Sequence, residues 1–315
     1  MKTAQKPAIS VVMAVYNGGV YLSEAIDSVL NQTWQDFEFI IINDGSTDES
    51  EKIINSYKET DSRVFAIHRE NKGLVESLNE GIALAQSDFI ARMDADDISL
   101  PYRFALQYQF LNDHPDVVCV GGDPIIIDED GEEITRLFTP PDDVRIQEML
   151  LSGHCPIEHP TVMFRRAVAE SLGNYRKEYE TAEDYDLWLR MGEFGQLANI
   201  TRPLLKYRYL NSSISAKNQT QQALTTRKSC EEALKRRGVN SDYTATNEWR
   251  QSKSLESKYK FSIKFGWWAY KYPNKSAAIK YAKRAIKLIP WRLSGWKLLF
   301  FILFIKPMQK ATKNN

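Results

Sequence analysis

A chain of 315 residues is long enough for one large domain with a substantial core, or for two moderate ones. With 43% hydrophobic and 26% charged residues, it is neither a disordered chain nor a multi-span membrane protein. The formal net charge of zero hides a split. From Ser257 onward there are 14 Lys and Arg and no Asp or Glu, which leaves 27 basic against 41 acidic side chains before that point, a net of −14.

The first 120 residues alternate two signals. Short apolar, β-branched runs at Ile9–Val15, Phe37–Ile42, Val64–Ile67, Phe89–Met93 and Val117–Val120 read as strands. Between them Val20–Leu30, Glu49–Tyr57, Leu74–Ala85 and Pro101–Asn112 read as helices, the first with Leu22, Ile26, Val29 and Leu30 on one stripe. Strands that are apolar along their whole length, alternating with helices, predict a parallel sheet covered on both faces. Ligands bind such sheets beyond the carboxyl ends of the strands. The unusual polar clusters fall there: "YNGG" after the first strand, "NDGSTD" after the second and "DADD" after the fourth. Further on, "DPIIIDEDGEEITRLFTPP" at 123–141 predicts a hairpin turning at Asp130-Gly131, followed by a short helix at Val144–Leu150. "TVMFR" and "PLLKYRYL" read as strands, and "EDYDLWLRMGEF" as a helix with Tyr185, Leu189 and Phe194 facing inward. The chain beyond about Lys217 reads as helical.

Each polar cluster has a plain and a chemical reading. Asp94, Asp96 and Asp97 repel one another at the end of an apolar strand unless solvent or a cation relieves them. Three hard oxygen donors on a tight turn suit Mg²⁺ or Mn²⁺, which need few protein ligands when phosphate oxygens complete the octahedron. Gly45, Ser46 and Asp48 suit an ordinary strand-turn-helix junction, whereas Asn43 and Asp44 lie just before the turn, where they suit a base or ribose. Glu183, Asp184 and Asp186 open a helix, a position its dipole favours for acids, and one of them is also a candidate general base. His154, Cys155, Glu158 and His159 match no zinc spacing, so His154 is expected to be structural and His159 to point toward the crevice. Three scattered cysteines, Cys119, Cys155 and Cys230, without a CxxC pair, suit reduced core thiols. With an N-terminus that offers a short strand and neither a signal-peptide core nor a spanning segment, they point to the cytoplasm.

Taken together, "ISVVMAVYNGGVYLSEAIDSVLNQTWQDFEFIIINDGSTDES", "NKGLVESLNEGIALAQSDFIARMDADDISLPYR", "HPTVMFRR" and "AEDYDLWLR" resemble the family-2 glycosyltransferases in order and spacing, from about residue 8 to 210. Ala14 departs from the pattern, standing where many members have proline. The resemblance implies an α/β GT-A fold: a Rossmann-like, mostly parallel sheet flanked by helices, here with a C-terminal helical extension. On that basis residues 1–215 form the catalytic domain, with a nucleotide-sugar half (about 8–120) and an acceptor half (about 121–215), and 216–315 form the extension. Carried over by motif, Val15, Tyr16 and Asn17 line the base pocket and Asp44 contacts the base. Asp94, with Ala95 beside it, faces the ribose or sugar. Asp96 and Asp97 hold Mn²⁺ or Mg²⁺ on the diphosphate, Asp184 is the base of an inverting transfer, and Glu183 adjoins it in the acceptor pocket. The implied partners are a nucleotide-sugar donor, UDP-linked by default with dTDP and GDP open, and a glycan or lipid-linked acceptor of a surface polysaccharide or glycolipid. A nucleotidyltransferase and a non-catalytic nucleotide-sugar binder are the rival classes. The first is expected to carry a Gly-rich, Arg-containing loop that "AVYNGG" is not.

The basic tail lies outside that resemblance. Ile279, Ala282, Ile286 and Ile289 form an apolar stripe, with Lys280, Lys283, Arg284 and Lys287 on the other faces and four of the seven tryptophans nearby. Such a helix suits the plane of an anionic membrane, which would put the protein at the inner face of the membrane. It also suits a helical hairpin packed on acidic protein surface. The run Leu298–Ile305 is too short to span a bilayer. Nucleic acid is not an expected partner, because the basic residues are confined to the tail and no reader motif accompanies them.

Overall fold

The computed structural model describes residues 6–210, 219–245 and 254–305. The boundary expected near 215 falls outside them. The elements follow in chain order: β1 (Ile9–Val15), α1 (Leu22–Leu30), β2 (Phe37–Asp44), α2 (Ser50–Thr60), β3 (Val64–Arg69), α3 (Leu74–Leu84), β4 (Phe89–Met93), β5 (Ile98–Ser99) and α4 (Arg103–Asp113). Next come β6 (Val117–Ile127), β7 (Glu133–Arg136), α5 (Asp143–Leu150), β8 (Met163–Arg165), α6 (Arg166–Ser171), α7 (Glu183–Met191) and β9 (Gln196–Arg208). Four helices complete the described residues: α8 (Gln219–Arg237), α9 (Leu255–Lys271), α10 (Lys275–Leu288) and α11 (Leu293–Phe304).

The strands form one sheet in the order β3-β2-β1-β4-β8-β6-β9-β5, with β7 paired to β6. β3, β2, β1 and β4 run parallel. This half is covered on both faces, as the unbroken apolar strands predict. Val11 and Met13 of β1 join Leu22, Ile26 and Val29 of α1 in one core cluster. Val12, between them, joins Leu78 and Ile82 of α3 in the other, because successive strand side chains alternate faces. From β4 onward the sheet changes character: β8 pairs antiparallel with both β4 and β6, and β5 with β9.

The chain divides into two units. The first comprises Met1–Pro124, Phe138–Tyr207 and Thr220–Thr246, and so takes in α8. There Cys230 is buried against the Leu150 and Leu151 carbonyls, and Ser229 donates to Asp186 at 3.2 Å. Two of the three thiols, Cys119 and Cys230, are core residues as expected, whereas Cys155 is exposed. Phe194 is exposed too, because α7 stops at Met191 and Phe194 lies in the turn beyond it, while Tyr185 and Leu189 are buried.

The second unit comprises Ile125–Leu137, Arg208–Gln219 and Asn247–Asn315. Its hairpin turns at Asp130-Gly131 as predicted, with β6 and β7 antiparallel. Lys280 of α10 reaches Asp128 at 2.6 Å and also pairs with Asp130, and Tyr281 donates to Asp128 at 3.1 Å. Asn274 donates to the Glu133 carbonyl at 2.8 Å. Much of the predicted stripe of α10 is spent inside this unit: Ala282 and Ile289 are buried and Ile279 and Ile286 half-buried. That stripe is therefore not a free membrane face.

Candidate active site

The carboxyl ends of β1, β2 and β4 carry the polar loops, since parallel pairing in register brings these ends to one edge. Two of the loops are tied together by the residues that the sequence motifs single out. Asn17, in the left-handed region at φ 53°, donates its N–H to Ser46 Oγ at 3.0 Å and accepts the Thr47 N–H on Oδ1 at 2.8 Å. Gly19 N–H donates to Asp48 Oδ2 at 2.9 Å and Gly18 N–H to Ser50 Oγ at 3.0 Å. Val15 is fully buried in the core, so only its main chain is available to a ligand, while Tyr16 is 56% exposed and free to lie against a base.

Asp44, almost wholly buried, fastens the next loop. Its two oxygens accept the Lys72 and Gly73 N–H groups at 2.9 and 2.8 Å, and Arg69 pairs with it at 2.9 Å. Gly45 follows at φ 74°, and a Cβ there would lie 2.7 Å from the Asn71 backbone nitrogen. Only glycine combines that backbone with so close an approach. The "NDG" of the sequence thus builds the floor of the crevice before any ligand contact is considered.

At the end of β4, Asp94, Asp96 and Asp97 each bring a carboxylate oxygen within 4.8 Å of the others, a donor set suited to a hard divalent cation. Asp94 and Asp96 are half-buried, as is Ala95 between them, and Asp97 is buried. Arg92, the last-but-one residue of β4, is buried and ion-paired with Asp94. Behind it Arg103 of α4 donates Nη2 to the Arg92 and Val162 carbonyls at 2.7 and 3.1 Å, which pins the end of the strand.

The start of α7 carries the next pair of acids. Glu183 is buried and Asp184 half-buried. Burial and the neighbouring Asp184 carboxylate push Glu183 from 4.5 up to about 7. Burial likewise raises Asp184, with Asp94 adding to the rise and the Tyr185 N–H and Arg92 opposing it. Arg92 and Asp94 are therefore near enough to Asp184 to act on it electrostatically, which brings the end of β4 close to the head of α7. Thr181, two residues before Glu183, holds φ 82°, a strained conformation for a β-branched residue and of the kind that collects at functional sites. Asp186, the third acid of the turn, is wholly buried and spoken for by Arg176 at 3.0 Å and Arg190 at 2.7 Å, which gives it a structural role.

His159 is buried, and its Nε2 is 2.8 Å from the Tyr175 hydroxyl. Burial and Arg92 hold it well below the usual histidine range, so it is neutral. His154 is exposed and its Nε2 lies 3.2 Å from the Thr244 hydroxyl, a structural contact. Arg92, Arg103 and Tyr175 are the site residues that sequence reasoning missed. The signal for Arg92 was a charge inside an otherwise apolar strand, "FIARM", where an unpaired cation would not be tolerated. Nothing local marks Tyr175.

The comparisons give the family and the fold. The family model "Glycosyl transferase family 2" matches residues 10–173, and the chain belongs to that family. It is accordingly a glycosyltransferase, and its sheet with flanking helices is of the GT-A kind. An O-antigen biosynthesis glycosyltransferase, WbnJ of Escherichia coli, is 39% identical over 209 residues, covering 65% of this chain and 81% of that protein. The putative glycosyltransferase EpsE of Bacillus subtilis is 35% identical over 193 residues, covering 60% and 68%. Among solved structures, the mannosyltransferase PcManGT of Pyrobaculum calidifontis, in complex with GDP-Man and Mn²⁺, superposes with a TM-score of 0.57 at 18% identity over 94% of this chain and 79% of that one. S. aureus TarS 1–349 in complex with UDP-GlcNAc gives 0.51 at 15% identity over 95% and 76%. At these identities the likeness is one of fold.

Proposed function

We propose that the protein is an inverting, metal-dependent transferase that moves a sugar from a nucleotide sugar, UDP-linked by preference, to a hydroxyl of a glycan or lipid-linked acceptor. The product would be a cell-surface polysaccharide or glycolipid assembled at the cytoplasmic face of an anionic membrane. The observation that carries this reading is the electrostatic joining of the aspartate turn, through Arg92 and Asp94, to the carboxyl of Asp184. The O-antigen role named for the Escherichia coli relative supports the class of product. The GDP-Man and Mn²⁺ of the Pyrobaculum structure support a nucleotide-sugar donor and a divalent cofactor, and the UDP-GlcNAc of the TarS structure supports the UDP preference.

In this reading Asp96 and Asp97 would hold Mn²⁺ or Mg²⁺, which would supply charge stabilisation to the departing diphosphate. Tyr16 lies against the base. Asn17 and Asp44 shape the base pocket through the two loops that they fasten, with the Val15 main chain at its edge and Ala95 beside the ribose. The acceptor oxygen bonds to the anomeric carbon as the bond to the diphosphate oxygen breaks. Its proton passes to Asp184, and the bonding pair leaves with the nucleoside diphosphate. One base on the face opposite the leaving group is sufficient, and no protein nucleophile is needed. Arg92 opposes the rise that burial and Asp94 impose on the Asp184 carboxyl. Glu183 and His159, the latter neutral, form the acceptor wall.

Asp184→Asn tests the assignment. Nucleotide binding should be retained while turnover falls by ~10²–10⁴, the usual worth of a positioned base. Normal turnover in that variant, or an α-linked product from an α-nucleotide sugar, removes Asp184 from the mechanism.

A further inference from the structure

The last helix of the described chain is apolar on both sides, and only one side is used. Gly295, Leu298 and Ile302 of α11 are buried within the second unit. The other side is open: Leu293 is 81% exposed, Trp296 51%, Phe300 54% and Phe304 72%, with Leu303 next to them and Trp291, at 78%, just before the helix. At helical spacing the four helix residues and Leu303 fall within an arc of about 100°, so they form one continuous face. A face of large aromatic and aliphatic side chains calls for a partner.

Charge identifies that partner. Lys287 of α10, Arg292 just before α11 and Lys297 on it are all exposed, and the sequence holds no acid from Ser257 to its end. Among the described residues the acid paired to this group is Glu256, 2.7 Å from Arg292. A second copy of the same face would set cation against cation. Tryptophan at the edge of an apolar face ringed by Lys and Arg is what the headgroup–acyl boundary of an anionic bilayer accommodates. Trp296 also donates its indole N–H to the Pro290 carbonyl at 2.9 Å, which keeps the polar edge of the ring satisfied while its body stays outward. The helix has 12 residues, about 18 Å, against a hydrocarbon core of about 30 Å, and no helix among the described residues is long and apolar enough to cross a membrane.

We infer that the outer face of α11, led by Trp291, is a docking surface for an anionic lipid bilayer, with the helix lying in the interfacial plane. This deepens the membrane-side reading above and moves the contact from the α10 stripe, which is largely spent on internal packing, to α11. It needs no glycosyl transfer to be tested.

The full chain would be sedimented with vesicles of phosphatidylcholine containing phosphatidylglycerol, and with phosphatidylcholine alone, at low and high salt. Wild type should bind the anionic vesicles and release as salt rises. Phe300→Ser/Phe304→Ser should weaken that binding about tenfold or more, since two exposed aromatic side chains would no longer enter the interface. Both positions are solvent-facing, so the variant should keep its circular dichroism and its nucleotide binding. Three results would overturn the inference: wild type that ignores anionic vesicles, a double variant that binds like wild type, or a wild-type dimer by light scattering that the same substitutions dissolve. Nucleotide binding absent from wild type would instead count against the glycosyl-transfer reading and leave the vesicle result standing.

Discussion

Glu183 offers a test that needs neither donor nor acceptor. In the folded protein its carboxyl is pushed from 4.5 to about 7 by burial and by Asp184. The unfolded chain loses that proton near 4.5 while the native protein keeps it to about 7. Stability should therefore fall as pH rises through this window, because the native state binds the extra proton. A displacement of that size corresponds to ~3 kcal/mol lost by about pH 8. Glu183→Gln removes the titration but keeps the shape. The variant should lie about 1 kcal/mol below wild type near pH 4.5, the cost of an amide that finds poorer partners, and exceed it by ~2 kcal/mol near pH 8. Urea unfolding followed by tryptophan fluorescence in EDTA would measure the difference at both pH values. The neutral, buried His159 also makes stability pH-dependent, but equally in both proteins, so it cancels. A variant whose advantage is the same at both pH values would refute the argument, as would a wild type that gains stability across the window.

Other outcomes follow from the same geometry. Asp96→Ala should abolish metal-dependent nucleotide binding in calorimetry with UDP, GDP and dTDP, and wild-type binding indifferent to EDTA would contradict the cation site. Arg92→Met should cost about 1–3 kcal/mol, less than for a fully buried pair because Asp94 is partly solvated. It should also shift the acidic limb of the pH–rate profile to higher pH, since Arg92 holds Asp184 down, and an unmoved limb would separate Arg92 from the base. Thr181→Gly should relieve a left-handed backbone and stabilise the fold by about 1 kcal/mol, and a loss of stability would mean that the side chain does more there than strain the chain.

Much of the donor half was legible in the chain. β1 and β4 occupy the residues that their apolar runs mark, and the loops after β1, β2 and β4 lie at one edge because parallel strands alternating with helices permit little else. The convergence of Asp94, Asp96 and Asp97 was local too, as all three sit on one turn.

Tertiary structure decided what depends on distant partners. Asp184 and Asp186 are two residues apart on one helical turn, yet Arg176 and Arg190 consume Asp186 and leave Asp184 under the influence of Arg92 and Asp94. Asn17 and Asp44 carry motif positions, but their hydrogen bonds to Thr47, Lys72 and Gly73 reveal loop-building work that a motif does not encode. In the tail, both α10 and α11 are rich in apolar residues, and composition alone favoured the amphipathic one for the membrane. Packing leaves the stripe of α10 largely covered and the outer side of α11 exposed. A helix stripe is apolar whether it meets protein or lipid, and only the neighbours of Ala282 and Phe300 distinguish the two.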